Sequence, residues 1–432
     1  MTSDDSILVV GAGFVGLATA AFLADGGRRV TVVEKNPLTV ESLRQGRLHF
    51  HEPTLGRMVG KTLKSGRLEI TVPSKESYQR SSMIFVAIDS ADQTTWKMKL
   101  AAFERMAQRI GGVRRKRAAV VVLKSTNVLG FAGLFRELLD AAPHGSSVRL
   151  AVNPEFLREG FAYEDTAKPW RVIIGTRDAH TRTRMVRFFR SVYGSTIPLV
   201  TTDWKSAELI KLSSNLYLSH RLAFINEVAE YARREELDID AVRRGIGLDP
   251  RIGQHYFEPG LGFGGSCLPK DCHLINSREL GGEFSFLTAQ TALAVNSRIL
   301  DGVVDALQLQ LGKLKGRKIA LLGAAFKPET DDTRGSQAVE LALKLKRRGA
   351  RIAIHEPFLK SAECILVGNL PLEHNLEAAV SNASAIVIGT AHRRFRLLKP
   401  QSIAPLVRKR LVVDRPAALA RRRWEKHGFQ FI

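Results

Sequence analysis

The chain has 432 residues, 44% of them hydrophobic and 25% charged, a globular composition long enough for two or three cores. Its three cysteines, Cys267, Cys272 and Cys364, exclude a disulfide-built scaffold at this length, and no apolar run is long enough to span a bilayer. The net charge of +22 raises the question of nucleic acid, but the bases are dispersed. They cluster briefly at 114–117, 408–410 and 421–423, without zinc-finger, basic-zipper or RNA-binding aromatic patterns, so no nucleic-acid partner is expected.

The opening MTSDDSILVVGAG carries acids where a signal peptide carries bases, and a cytoplasmic chain is expected. SILVV (6–10) reads as a strand buried on both faces. GAGFVG follows directly, then a helix over LATAAFLADGG and a second strand in RRVTVVEKN, the order of a βαβ unit. Further strands are predicted at 83–88, 118–125 and 171–175. From Asp203 the pattern becomes helical, and more than thirty proline-free residues read as one or two long helices. A glycine-rich loop, EPGLGFGGSCLPKD (258–271), interrupts the helical region. Strand patterns return at 317–326, 350–357, 383–390 and 410–414. The expected fold is α/β: two Rossmann-like doubly wound sheet domains (1–202 and 301–432) joined by a central long-helix domain (203–300). A long helix in that position makes a homodimer or larger assembly the expected state.

In Gly11-Ala-Gly13-Phe14-Val15-Gly16, the first glycine suits the tight turn, the second lets backbone approach a pyrophosphate and the third packs helix on strand. The helix N-terminus then faces the anion. Glu34 ends the second strand, where a carboxylate holds ribose hydroxyls and repels the extra phosphate of NADP, which favours NAD. Lys35 follows it. In Gly262-Phe-Gly-Gly-Ser-Cys267-Leu-Pro-Lys-Asp271, three glycines leave a backbone free to wrap a ligand and present a thiol. A lone cysteine is more often a small buried hydrophobe. Lys211 and Asn215 are four apart on one helical face. Glu155 and Glu159 are also four apart, after Pro154, a spacing equally suited to a helix start.

With these motifs in order, the chain resembles the UDP-glucose/GDP-mannose dehydrogenase family nearly end to end. The resemblance takes in GAGFVG, HEPTL (51–55), KSTNVLG (124–130), NPEFLREG (153–160), AELIKLSSNLYLSHRLAFINEVA, DPRIGQHYFEPGLGFGGSCLPKD (249–271) and AFKPETDDTRGS (325–336). It implies NAD as cofactor, held through Gly11, Gly13, Phe14, Val15, Gly16, Glu34, Lys35, Thr126, Glu159, Lys270 and Arg334. It implies a nucleotide-sugar substrate on Glu155, Phe156, Leu157, Lys211, Asn215, Arg251, Tyr256, Phe263, Gly264 and Lys327. Cys267 resembles the nucleophile. Lys211, Asn215 and Asp271 resemble the polar set around it, Glu155 the carboxylate that assists thioester hydrolysis, and Thr126 a partner for the catalytic water. No metal is implied.

The implied reaction is a four-electron oxidation of a sugar alcohol to the acid through a thiohemiacetal and a thioester on cysteine. Asp249-Pro-Arg-Ile-Gly resembles the UDP-glucose branch, which makes UDP-glucuronate. Ser266, where the UDP-N-acetylhexosamine enzymes have histidine, points the same way. GDP-mannose or another nucleotide sugar, or an inactive nucleotide-sugar sensor, are the alternatives, and the basic C-terminal third leaves open docking on anionic lipids. Three stretches depart from the family. Ala87-Ile-Asp-Ser-Ala-Asp92 replaces a Val-Pro-Thr-Pro-like turn and puts Asp89 near the pyrophosphate. Thr390-Ala-His-Arg-Arg394 replaces Thr-Glu-Trp, and Asp414-Arg-Pro-Ala417 replaces Asp-x-Arg-Asn.

Overall fold

The computed structural model describes residues 6–92, 95–281, 283–359 and 370–432; Cys364 lies outside them. The chain divides into two compact units, residues 1–214 with 274–284, and residues 215–273 with 285–432.

The first unit is built on eight strands: β1 (Ile7–Val10), β2 (Val30–Val33), β3 (Leu68–Thr71), β4 (Met83–Val86), β5 (Ala119–Leu123), β6 (Val148–Val152), β7 (Val172–Gly175) and β8 (Leu199–Thr202). Their order across the sheet is β3-β2-β1-β4-β5-β6-β7-β8. All neighbours are parallel except β6 and β7, which meet antiparallel at Val152 and Gly175. β1, β4, β5 and β7 are buried along their whole length. That is why they read as unbroken apolar runs: helices cover both faces of a parallel sheet. The helix Phe14–Asp25 supplies Leu17, Ala18, Ala20, Ala21, Leu23 and Ala24 to the same core as Ile7, Val9, Val30 and Val32. Small alanines let it lie close to the sheet.

The segment from 203 forms a single helix, Trp204–Arg234, that starts in the first unit and ends in the second. No glycine or proline breaks it in 31 residues. The second unit also holds the helix Leu287–Leu311 and a parallel sheet of β9 (Lys318–Leu322), β10 (Arg351–His355), β11 (Ala385–Ile388), β12 (Leu411–Val413) and β13 (Gln430–Phe431), in the order β10-β9-β11-β12-β13. Alternate residues of β9 serve two cores. Ile319 and Leu321 pack with Leu300, Val303 and Leu307 of the 25-residue helix. Ala320 and Leu322 pack with Phe395 and Trp424 on the other face.

Candidate active site

In the first unit, the functional candidates gather beyond the C-terminal ends of the parallel strands, where open α/β sheets bind ligands. The Gly11–Gly16 turn leaves β1, Glu34 ends β2, Thr126 follows β5 and Glu155 follows β6. Gly11 has φ +99, and a Cβ there would sit 2.4 Å from the Ala87 carbonyl oxygen. A Cβ on Gly16 would sit 1.9 Å from the Gly11 carbonyl oxygen. At Gly13 nothing lies within 4 Å. Two glycines are thus demanded by the chain itself, while the third faces open space at the start of the helix, where no side chain caps the free N–H groups. This is a cradle that a diphosphate fits. Glu34 closes the turn from the side: its carboxylate accepts the Ala12 N–H at 3.3 Å and the Asn36 N–H at 3.0 Å. Phe14 stacks on Phe50 with centroids 4.0 Å apart. Val15 is half-buried and Lys35 points to solvent.

The unusual turn after β4 changes one expectation. Asp89 is exposed, but it is ion-paired with Lys99, so its charge is locally compensated. The Asp92 N–H donates to the Lys97 carbonyl at 2.9 Å, and Ala91 bridges to Met98, closing the turn as a small loop.

Deeper in the unit lies a buried charge cluster. Lys211, on the long helix, pairs with Glu155 at 3.1 Å, and both side chains are nearly inaccessible (4% and 11% exposed). Burial by itself pushes the Glu155 carboxyl upward. The Lys211 and Lys124 ammonium groups and the Leu157 N–H at 2.7 Å outweigh it and hold the carboxyl below its usual range. Glu155 is therefore ionised at neutral pH. Lys124 donates to Asn153 Oδ1 at 2.9 Å. Burial pulls its pKa down to about 8, with Glu155 opposing and Lys211 assisting. Phe156 carries Arg171 over its ring at 3.9 Å and Lys211 at 5.3 Å. Thr126 is buried, and Leu157 and Glu159 are half-buried.

Glu208, one turn before Lys211, reaches the start of another helix and accepts the N–H groups of Gly130 and Ala132, both at 2.8 Å. Burial raises its pKa to about 7, against those two bonds. A raised folded-state pKa contributes stability that is fully present below the unfolded value and is lost as pH rises through about 7. Glu208→Gln is expected to flatten the decline in melting temperature across that range. Glu208→Ala, which strands the buried Ala132 donor and the half-buried Gly130 donor, is expected to cost about 1–3 kcal/mol in denaturant unfolding. A variant with unchanged stability and pH slope would show that the contact contributes nothing.

In the second unit, Asn215 donates from Nδ2 to Asp271 Oδ2 at 2.6 Å, and Lys270 lies 3.6 Å from Asp271 Oδ1. All three residues are buried. Cys267 opens the short helix that carries Asp271. Its carbonyl accepts the Asp271 N–H at 2.9 Å, its Sγ is 3.6 Å from Ser266 Oγ, and it is half-buried. Cys272 differs: it is fully enclosed, and burial pushes its thiol up to about 11.

The three glycines of the loop are required by the packing of the chain itself. A Cβ on Gly262 (φ +113) would strike Asn296 at 2.2 Å, one on Gly264 the Gly335 carbonyl at 2.4 Å, and one on Gly265 the Phe326 ring at 2.7 Å. Chain neighbours leave no room for a side chain at any of the three. Asn296 clamps Phe263 at both ends, accepting its N–H at 2.7 Å and donating to its carbonyl at 2.8 Å. Phe263 is buried, and Gly264 therefore packs on the stretch that bears Lys327 and Arg334. Arg334 forks onto Asp332 at 2.6 Å, and Lys327 lies 5.4 Å over the Phe326 ring.

Arg251 is exposed and forks onto Asp249 at 2.7 Å. Tyr256 adopts φ 57 and is half-buried. Sequence reasoning missed the residue that holds this loop. Arg221 donates to the carbonyls of Ile252 (2.7 Å), Gly253 (2.8 Å) and His255 (3.1 Å). Lys124 and Asn296 were missed as well. A usable signal existed for Glu208 alone: Glu208, Lys211, Asn215 and Ser219 are polar residues at intervals of three and four on one helix face, and all are buried.

The second departure, at residues 390–394, is also accommodated. His392 is enclosed, and its Nε2 lies 3.1 Å from Glu356, which accepts the Ala324 and Ala325 N–H groups at 2.7 and 3.0 Å. Nδ1 accepts the Glu329 N–H at 3.1 Å. The first turn of the second sheet thus has its donors satisfied by the chain's own carboxylate, unlike the open turn at Gly13. Among the described residues no group of side chains fits a metal ion, and no helix is long and apolar enough to cross a membrane.

Comparison with known proteins gives three consecutive matches. Residues 5–197 match the NAD binding domain of the UDP-glucose/GDP-mannose dehydrogenase family, 205–298 its central domain and 320–421 its UDP binding domain. The chain belongs to this family. A UDP-glucose 6-dehydrogenase of Rhizobium meliloti is 32% identical over 98% of both chains. Among solved structures, a UDP-glucose dehydrogenase from Pyrobaculum islandicum is 35% identical, with a TM-score of 0.85 over 96% of both chains. A UDP-D-ManNAc dehydrogenase from Pyrococcus horikoshii is 25% identical, with a TM-score of 0.86 over 99% of this chain and 98% of that one. The chain is thus an NAD-binding oxidoreductase of a family of nucleotide-sugar dehydrogenases.

Proposed function

We propose that the chain oxidises the C6 alcohol of UDP-glucose to the carboxylate, yielding UDP-glucuronate, with Cys267 as covalent nucleophile. The carrying observation is the half-buried Cys267 thiol on a glycine loop clamped by Asn296, with the buried Asn215–Asp271 bond on the same segment. The Gly11–Gly16 turn and Glu34 would hold NAD, and two NAD bound in turn would supply the hydride acceptors for the two oxidations. The thiolate of Cys267 adds to the carbonyl carbon of the intermediate aldehyde and gives a thiohemiacetal. Oxidation of that adduct leaves a thioester, and water releases the acid and restores the thiol. Lys211 and Asn215 donate to the developing oxyanion. Glu155, kept ionised by its lysine neighbours, takes the proton of the attacking water, with Thr126 as that water's partner.

UDP-glucose is supported by the likeness to the UDP-glucose dehydrogenases of Rhizobium meliloti and Pyrobaculum islandicum and by Ser266 in place of histidine. The experiment is NADH formation with UDP-glucose, with GDP-mannose and UDP-N-acetyl sugars in parallel. Two NADH per UDP-glucose is the expected result. Turnover of another sugar instead would overturn the substrate, and binding without any turnover would favour a sensor.

We further propose a homodimer through the long helix. Tyr217, Phe224 and Tyr231 recur every seven residues and are exposed (59%, 44% and 63%), a solvent-facing aromatic stripe. Replacing all three by serine is expected to turn a dimer into a monomer in light scattering. A wild type that is already monomeric would refute the idea.

A further inference from the structure

All five strands of the second sheet are parallel, so their N-terminal ends lie along one edge. Three basic segments far apart in sequence meet there. The Arg351 N–H donates to the Arg317 carbonyl at 2.8 Å, Ser384 to Lys318 at 2.7 Å, Arg408 to Ala383 at 2.9 Å and Gln430 to Arg410 at 2.8 Å. These backbone bonds set Arg317, Lys318, Arg351, Arg408, Lys409 and Arg410 on one continuous rim. At about 4.8 Å per strand, the rim is roughly 20 Å across. Arg351, Arg408, Lys409 and Arg410 are exposed. None of the six has a carboxylate within 4 Å among the described residues; nearby acids are engaged elsewhere, Glu340 with Arg347, Asp301 with Lys344 and Glu425 with Arg421. Lys313 and Lys315, also exposed, extend the rim along the strand leading into β9.

We propose that this rim is a docking surface for an anionic lipid bilayer. A row of uncompensated cations on a blunt sheet edge matches a plane of phosphate headgroups. Leu309, 83% exposed on the last turn of the helix that runs to this rim, adds an apolar side chain able to enter the headgroup layer. Nucleic acid fits less well, because the six residues lie on strand ends and tight connections. Among the described residues, no helix presents them to a groove and no exposed aromatic accompanies them for stacking. The opposite edge of the same sheet carries Gly323, Glu356 and Thr390, so docking leaves the ligand-binding edge of this unit open.

The test is flotation of the full chain with vesicles of phosphatidylcholine alone and of three parts phosphatidylcholine to one of phosphatidylglycerol, at low and physiological salt. Binding is expected only to the anionic vesicles, weakening with salt. Arg408→Gln with Lys409→Gln and Arg410→Gln is expected to weaken it by about a hundredfold. The control, Arg114→Gln with Lys116→Gln and Arg117→Gln, removes the same charge from the other unit and is expected to stay within about threefold. A second rim variant, Lys315→Gln with Arg351→Gln, checks the result if the first melts early. No binding to anionic vesicles, equal loss in rim and control variants, or tighter binding to a DNA duplex than to vesicles would each overturn the proposal.

Discussion

Cys267→Ala is expected to lower the overall oxidation by at least about a thousandfold while leaving NAD and UDP-glucose binding within a few-fold of wild type. The size of the effect follows from the absence of a substitute thiol among the described residues. Cys272, five residues on, is fully buried, and its thiol is pushed up to about 11. At neutral pH its thiolate fraction is about one part in ten thousand, and no path leads substrate to it. Removing a side chain from a half-buried loop clamped elsewhere, at Phe263 by Asn296, leaves the fold intact. Cys272→Ser is the control, expected to cost stability rather than chemistry. The measurement is NADH formed per enzyme in the first turnover and at steady state. Retention of more than about a tenth of wild-type turnover in Cys267→Ala would end the covalent mechanism.

The glycine turn gives the second large effect, and the contrast between two of its positions makes it diagnostic. Gly16→Ala places a methyl 1.9 Å from the Gly11 carbonyl oxygen, in rigid backbone under a packed helix. The helix must move off the sheet. A loss of about 3 kcal/mol or more is expected, together with NAD binding. Gly13→Ala meets no protein atom within 4 Å. Its melting temperature is expected to stay close to wild type, while NAD affinity falls by roughly a hundredfold because the methyl occupies the pyrophosphate's approach. Thermal melts and NAD titration by calorimetry separate the two. If Gly13→Ala binds NAD like wild type, the cofactor does not cross this turn.

Much of the architecture was readable because parallel sheets buried on both faces write themselves as apolar runs. β1, β2, β4, β5 and β7 were all predicted, as were four strands of the second sheet. β3, β6, β8 and β13 were not. β3 is an edge strand with exposed Glu69, β6 carries exposed Arg149, β8 is largely exposed and β13 has two residues. β3, β8 and β13 lie at sheet edges and need only one buried face, so their patterns are weak, whereas β6 is internal and its apolar run is broken by Arg149. The site divides in the same way. Gly11, Gly16 and Glu34 carry local signatures, since a turn and a strand end are short-range features. Lys124 and Arg221 do not, because what singles them out is the burial of a cation among partners 29 to 34 residues away.

Sequence alone determined the dinucleotide turn with its strand–helix–strand unit, the long helix after Asp203, the thiol on its loop and the family resemblance, because each depends on residues adjacent in the chain. Tertiary structure decided the rest. It showed that Glu155 stays ionised between two lysines and that Asp89 is compensated by Lys99. It showed that the loop glycines are required by the packing of Asn296, Gly335 and Phe326 against them. It also gathered dispersed bases into one rim on a parallel sheet edge. Charge state, packing clearance and patch formation depend on distances between residues far apart in sequence, and folding sets those distances.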